Sequence, residues 1–255
     1  MFEREIMHVL PKSILLTLSF ASASVFAAQT SSTCPVQNYD MALRYQQKSA
    51  EVMALQLQTY RLAQERFDQK VSQLSAPEKA AVVLDLDETV IDNSALLVRD
   101  VEKCHDYTQW DTWNSWEQHG NPTLIPGAKA FLDNADSKKV RIFYVSDRFE
   151  KNKAQTIATL KKLGLPQVSE QNILLDTEPK EQRRQKIMHD YQIIMLFGDS
   201  LPDFAVQFKP KKSADSQRQL VTESAKHFGD DWFVLPNAGY GAWSKYETEA
   251  WKENK

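Results

Sequence analysis

Ala80-Ala81-Val82-Val83-Leu84-Asp85-Leu86-Asp87-Glu88-Thr89 is the stretch from which the fold can be read. Its first five residues form a continuous apolar run, the pattern of a strand buried on both faces and not of one alternating between core and solvent. Runs of the same kind recur at 140–145, 193–197 and 233–235, with a weaker one at 173–175. Helical patterns occupy intervals between them, at 128–135, 151–163 and 180–191. Strand and helix in alternation predict an α/β fold, a Rossmann-like parallel sheet flanked by helices and joined by right-handed crossovers. In such sheets ligands bind beyond the carboxyl ends of the strands, so the residue after each apolar run is the one to examine.

Those residues share a chemistry. The first run ends in Asp85-Leu86-Asp87, the second in Ser146-Asp147-Arg148, and the fourth in Gly198-Asp199-Ser200-Leu201-Pro202-Asp203. Lys180 opens the helix that follows the weak third run. A phosphate monoester is anionic and repels an attacking carboxylate unless cations neutralise the site. Mg2+ takes hard oxygen ligands, which Asp85 and Asp199 supply directly and Asp203 through a water. Lys180 adds a fixed positive charge, and Ser146 an O–H donor for a phosphate oxygen. Asp85 is the candidate nucleophile and Asp87 the candidate general acid and base. Each has a plainer reading: aspartates cap helices, a surface lysine is common, and Arg148 can serve as a salt-bridge partner. No serine elbow or spaced His-Asp pair points to a triad hydrolase instead.

The rest of the chain bounds these expectations. It has 255 residues, 42% apolar and 25% charged, with a net charge of −3. That balance argues against a nucleic-acid polymer as partner, and the short basic run at 209–212 reads as a solvated loop. Residues 13–26 are apolar and small, and Val25-Phe26-Ala27 fits signal peptidase. The expectation is a signal peptide over 1–27, a phosphatase domain over 28–255, and a periplasmic or secreted product with no stable membrane anchor. Cys34 and Cys104 are the two cysteines; pairing and free thiols both remain open.

Between signal and sheet, 39–74 has apolar residues three to four apart and reads as one helix. Residues 96–126 break the alternation and hold Tyr107, Trp110, Trp113 and Trp116, an insertion placed to cover the strand ends. Tryptophans in such an insertion pack more often than they stack on a ligand.

Taken together, Asp85-Leu86-Asp87-Glu88-Thr89, Ser146, Lys180 and Gly198-Asp199-Ser200-Leu201-Pro202-Asp203-Phe204 resemble the four motifs of the haloacid dehalogenase superfamily. Ile125-Pro126-Gly127-Ala128, Phe143-Tyr144-Val145-Ser146 and Val234-Leu235-Pro236-Asn237-Ala238-Gly239-Tyr240-Gly241 resemble its bacterial class C acid phosphatases, the lipoprotein-e type. The resemblance implies a mainly α-helical cap, here about 38–76 and 96–126, and Mg2+ held by Asp85, the Asp87 carbonyl and Asp199. It implies hydrolysis of nucleoside monophosphates and other small phosphomonoesters at acid pH, with Tyr240 and Trp113 or Trp116 against the substrate ring. A phosphotransferase and a non-catalytic surface or ligand-binding protein on the same fold are the alternative functions, and a homodimer is the assembly considered. Ser200 in place of Asn or Thr, and the missing lipidation cysteine, depart from the family pattern.

Overall fold

The computed structural model describes residues 34–208 and 213–252. The expected signal peptide and the basic run at 209–212 lie outside the described residues.

The described residues open with a 3-10 turn, Pro35–Tyr39, followed by α1 (Asp40–Lys48) and α2 (Ala50–Ser72). Strand β1 is Ala80–Leu84, and a two-residue β2 (Ile91–Asp92) follows it. The insertion contributes α3 (Ser94–Glu102) and α4 (Trp113–His119) and returns through β3 (Thr123–Leu124). The alternation then resumes with α5 (Ala128–Ser137), β4 (Arg141–Phe149), α6 (Lys153–Lys162), β5 (Ile173–Asp176) and α7 (Lys180–Met188). Next come β6 (Gln192–Gly198), α8 (Ala214–Glu223) and β7 (Trp232–Val234). Five strands lie in the order β5-β4-β1-β6-β7, every neighbouring pair parallel. This is the expected α/β architecture, with β1 at the centre.

Alternate residues of β1 feed two cores, as the two-residue period of a strand requires. Val82 and Leu84 join Ile142, Tyr144 and Phe197 on one face, covered by Tyr60, Ala63 and Phe67 of α2 and Phe131 and Leu132 of α5. Ala81 and Val83 join Phe143, Val145 and Leu196 on the other, covered by Ile187 of α7. Deleting a ring such as Phe67, which has no exposed surface, would cost about 3–5 kcal/mol. A third cluster gathers Leu43 of α1 with Leu96, Leu97, Tyr107 and Trp113 of the insertion.

Two expectations need correction. The single helix over 39–74 is two helices, because Ser49 is extended (φ −75°, ψ 135°) and its side chain accepts from Val52 N at 3.1 Å. A serine N-cap satisfies an otherwise unpaired amide and starts α2 afresh. The break lets the two helices serve different cores, α2 the sheet and α1 the insertion. The second strand also runs further than its apolar residues, to Phe149. Its register with β5 nonetheless shifts between Val145 and Phe149, so residues 146–148 leave the regular ladder.

A disulfide joins Cys34 to Cys104, across 70 residues of sequence. It ties the start of the described chain to the residue beyond α3. No helix among the described residues is long and apolar enough to cross a membrane.

Candidate active site

After Leu84 the chain stops pairing and folds on itself. Asp85 N donates to Phe197 O of β6 at 3.0 Å, and Val90 N and Ile91 N both return to Leu86 O at 2.8 and 2.9 Å. Glu88 takes the left-handed conformation (φ 55°) that this tight turn demands. Tyr60 of α2 supports it from below, its hydroxyl donating to Thr89 O at 2.8 Å.

The turn sends the two aspartates to different partners. Asp85 faces α7 and the end of β6: Lys180 Nζ lies 2.8 Å from its Oδ1 and 2.6 Å from Asp203 Oδ1. One oxygen from each of Asp85, Asp199 and Asp203 lies within 4.8 Å of the others. Burial, joined by Asp203, Asp199 and Asp87, pushes the Asp85 carboxyl well above its ordinary range against the pull of Lys180. Burial also pushes Asp199 up to about 8, with Asp203 adding and Asn237 opposing. Burial works against the charge on Lys180, but Asp203 and Asp85 outweigh it and raise its pKa.

This cluster fits a divalent cation. Three carboxylates and one ammonium leave two formal negative charges in a buried place, an arrangement costly without a counter-ion. Asp85 Oδ1 is buried and, despite the Lys180 ion pair, receives no aligned hydrogen bond. The donors are all hard oxygens, the set suited to Mg2+, Ca2+ or Mn2+.

Asp87 turns the other way, towards Arg148, Asn93 and Ser146. Arg148 Nη2 and Asn93 Nδ2 each lie 2.8 Å from its Oδ1, and Ser146 Oγ 3.2 Å from its Oδ2. Arg148, which the sequence left as a salt-bridge partner, makes that salt bridge and is 2% exposed.

One helix braces the strand ends. Besides Lys180, α7 carries Arg183, whose Nη1 donates to Ser146 O at 2.6 Å and whose Nη2 pairs with Asp147. Arg184 Nη1 donates to Asp203 O at 2.6 Å. Asp203 Oδ2 accepts from Ser200 N at 3.0 Å, closing a capping box. A Cβ on Gly198 would sit 2.3 Å from that same Oδ2, so only glycine lets Asp203 lie against the strand end.

The structure brings all the expected residues into one region. Tyr240 packs edge-on to Trp113 at 5.8 Å between ring centres, and Trp116 Nε1 donates to Asn93 Oδ1 at 2.7 Å. Trp113 is 5% exposed and lies in the third core cluster, with its ring against Tyr240. Of the two tryptophans against Tyr240, Trp110 is the one open to solvent, 44% exposed and 5.1 Å from Tyr240 between ring centres. Sequence reasoning gave no role to Glu88, Asn93 or Asn237. Glu88 is buried and bonded to the Tyr240 hydroxyl, and burial with the Asp87 charge pushes its carboxyl up to about 8. Asn237 Nδ2 donates to Asp199 Oδ2 at 2.7 Å. Glu88 and Asn237 stand within the quoted motifs, but their partners Tyr240 and Asp199 lie 152 and 38 residues away; Asn93 stands in none of those motifs.

The chain matches known proteins in sequence and in fold. Residues 8–243 match the sequence profile of the family described as HAD superfamily, subfamily IIIB (Acid phosphatase). The class C acid phosphatase from Bacillus anthracis is 34% identical with a TM-score of 0.76, the match covering 82% of this chain and 87% of that one. A second structure of the Bacillus anthracis enzyme, with tungstate bound, gives 34% identity and a TM-score of 0.77 over 82% and 88%.

Proposed function

The chain belongs to the acid phosphatases of HAD superfamily subfamily IIIB, and from that premise we propose that it is an exported, Mg2+-dependent phosphomonoesterase that works through an aspartyl-phosphate on Asp85. It is a phosphomonoesterase by family; metal, mechanism, substrate range and export are the proposal. The observation that carries it is Asp85 beside Lys180, Asp199 and Asp203 at the carboxyl ends of parallel strands.

Asp85 attacks phosphorus, the ester P–O bond breaks, and the leaving oxygen takes a proton from Asp87. Water then attacks the aspartyl-phosphate, giving its proton to Asp87, and the bond from Asp85 to phosphorus breaks. Lys180 offsets negative charge beside the nucleophile, and Ser146, its O–H turned from Asp87 Oδ2, donates to a phosphate oxygen. Mg2+ held by Asp85, the Asp87 carbonyl, Asp199 and, through water, Asp203 would neutralise the phosphoryl oxygens.

The substrates are nucleoside monophosphates and other small phosphomonoesters, with Tyr240 and Trp113 or Trp116 beside the ring. The aromatic group of Trp110, Trp113 and Tyr240 next to the carboxylates supports that choice. Export, with residues 1–27 removed and 28–255 forming the phosphatase domain, is supported by the Cys34–Cys104 disulfide, a bond suited to an oxidising compartment. The cap elements are assigned to about 38–76 and 96–126.

p-Nitrophenyl phosphate turnover, measured with Mg2+ and with EDTA, tests the reading. Activity should vanish with EDTA, return with Mg2+, and be absent from a folded Asp85→Asn variant. Near-normal turnover by that variant would remove Asp85 from the role of nucleophile.

A further inference from the structure

If Asp87 exchanges a proton with the ester oxygen, something must decide which of its two oxygens does so. A carboxylate rotates about its last torsion with a broad two-fold preference and does not choose unaided. Here the two oxygens are unequally occupied. Oδ1 accepts from Arg148 Nη2 at 2.8 Å, Arg148 Nε at 2.9 Å and Asn93 Nδ2 at 2.8 Å. Oδ2 shares the Arg148 Nε–H at 3.1 Å and has one further donor, Ser146 Oγ at 3.2 Å.

The clamp is itself held. Arg148 Nη2 donates to Asn93 Oδ1 at 3.1 Å. The same Asn93 oxygen accepts from Trp116 Nε1 at 2.7 Å, and Asn93 N donates to Glu88 Oε1 at 2.9 Å. Arg148 and Asn93 are both almost without exposed surface. The planar guanidinium fork matches a carboxylate in two directions and fixes its plane as well as its place.

We propose that Arg148, steadied by Asn93, is a positioning residue that engages Asp87 Oδ1 and leaves Oδ2 as the oxygen that gives and takes the proton. The proposal rests on reading Asp87 as the general acid and base. When the ester P–O bond breaks, its electron pair stays on the leaving oxygen, which receives the proton from Asp87 Oδ2.

The test uses leaving groups that differ in their need for that proton. An alkoxide needs it; a nitrophenolate leaves readily without it. Full-length Arg148→Met is compared with wild type on glycerol 3-phosphate and on p-nitrophenyl phosphate, both with Mg2+. Water attack on the aspartyl-phosphate is common to both esters, so the comparison is made in kcat/KM, which reports the steps through ester cleavage. Because positioned proton transfer contributes on the order of 10²–10⁴-fold, kcat/KM on glycerol 3-phosphate should fall by at least about 10²-fold. On p-nitrophenyl phosphate the fall in kcat/KM should be under about 10-fold. Arg148→Lys keeps the charge but loses the fork, so it should show the same split; it replaces the methionine variant if that one does not fold. Equal losses of kcat/KM on both esters would overturn the proposal. Asp87→Asn separates the two levels of the reading. If it shows no leaving-group split, the acid–base role of Asp87 falls; if it shows the split and the Arg148 variants do not, only the positioning role falls.

Discussion

Replacing Cys34 and Cys104 with serine opens a loop spanning 70 residues that includes α1, α2 and the central strand β1. In the chain-entropy description a crosslink removes about 2.1 + 1.5R ln n cal/mol/K from the unfolded ensemble, so a loop of this length stabilises the fold by about 4 kcal/mol at 25 °C. For a domain of this size each kcal/mol moves the melting temperature by about 2–4 °C, so the double variant should melt roughly 8–16 °C below the oxidised protein. Differential scanning calorimetry on the variant, and on wild type reduced before heating, measures the same quantity twice. Both should shift alike. The third core cluster should feel the loss first, because the bond ends beyond α3, whose Leu96 and Leu97 pack on Leu43. A shift below about 3 °C in both samples would refute the loop-closure reasoning and mean that the 34–104 segment stays compact after unfolding.

Three further outcomes are expected. Gly198→Ala puts a Cβ into Asp203; since displacements near 1 Å can cost about 10²-fold, p-nitrophenyl phosphate turnover should drop at least ten-fold, and wild-type rates would disprove the close-approach requirement. Tyr60→Phe leaves Thr89 O without its buried donor and should cost about 1–3 kcal/mol in urea unfolding; a neutral effect would mean the carbonyl finds another partner. The hydrogen bond to Asp111 raises the pKa of His105 above the usual imidazole value. A histidine raised in the folded state adds stability that is fully present below its unfolded pKa and is lost as pH rises through the folded one. Its NMR titration should therefore move down in Asp111→Asn; an unchanged midpoint rejects that cause.

Much of this architecture is legible without coordinates because buried parallel strands announce themselves as apolar runs and their ends carry the chemistry. Ala80–Leu84 is found at its expected bounds, and Asp85, Asp87, Ser146, Lys180, Asp199 and Asp203 all meet. Other elements leave weaker traces. β2 and β3 are two residues each, too short for a period. The helix Ala214–Glu223 went unseen because it buries little and its sequence is mostly polar. Ser49 sits inside a run of good helix periodicity, and only the need to serve two cores makes it a cap. Arg148, Asn93 and Asn237 gain meaning from partners 38 to 61 residues away, which spacing cannot supply.

Gln46 of α1 donates to Pro236 O at 3.0 Å and accepts from Ala238 N at 3.0 Å, so the first helix grips the segment that presents Asn237 to Asp199 and Tyr240 to Glu88. These bonds close over 190 and 192 residues of sequence. Contacts of such range form late and slowly, because the chain between them must be ordered first. A chain emerging N-terminus first from a ribosome therefore cannot set Asn237 against Asp199 or Tyr240 against Glu88 until the segment after β7 has been released. Completion of the site becomes a late event of folding, and refolding followed by phosphatase activity should lag behind refolding followed by helix content.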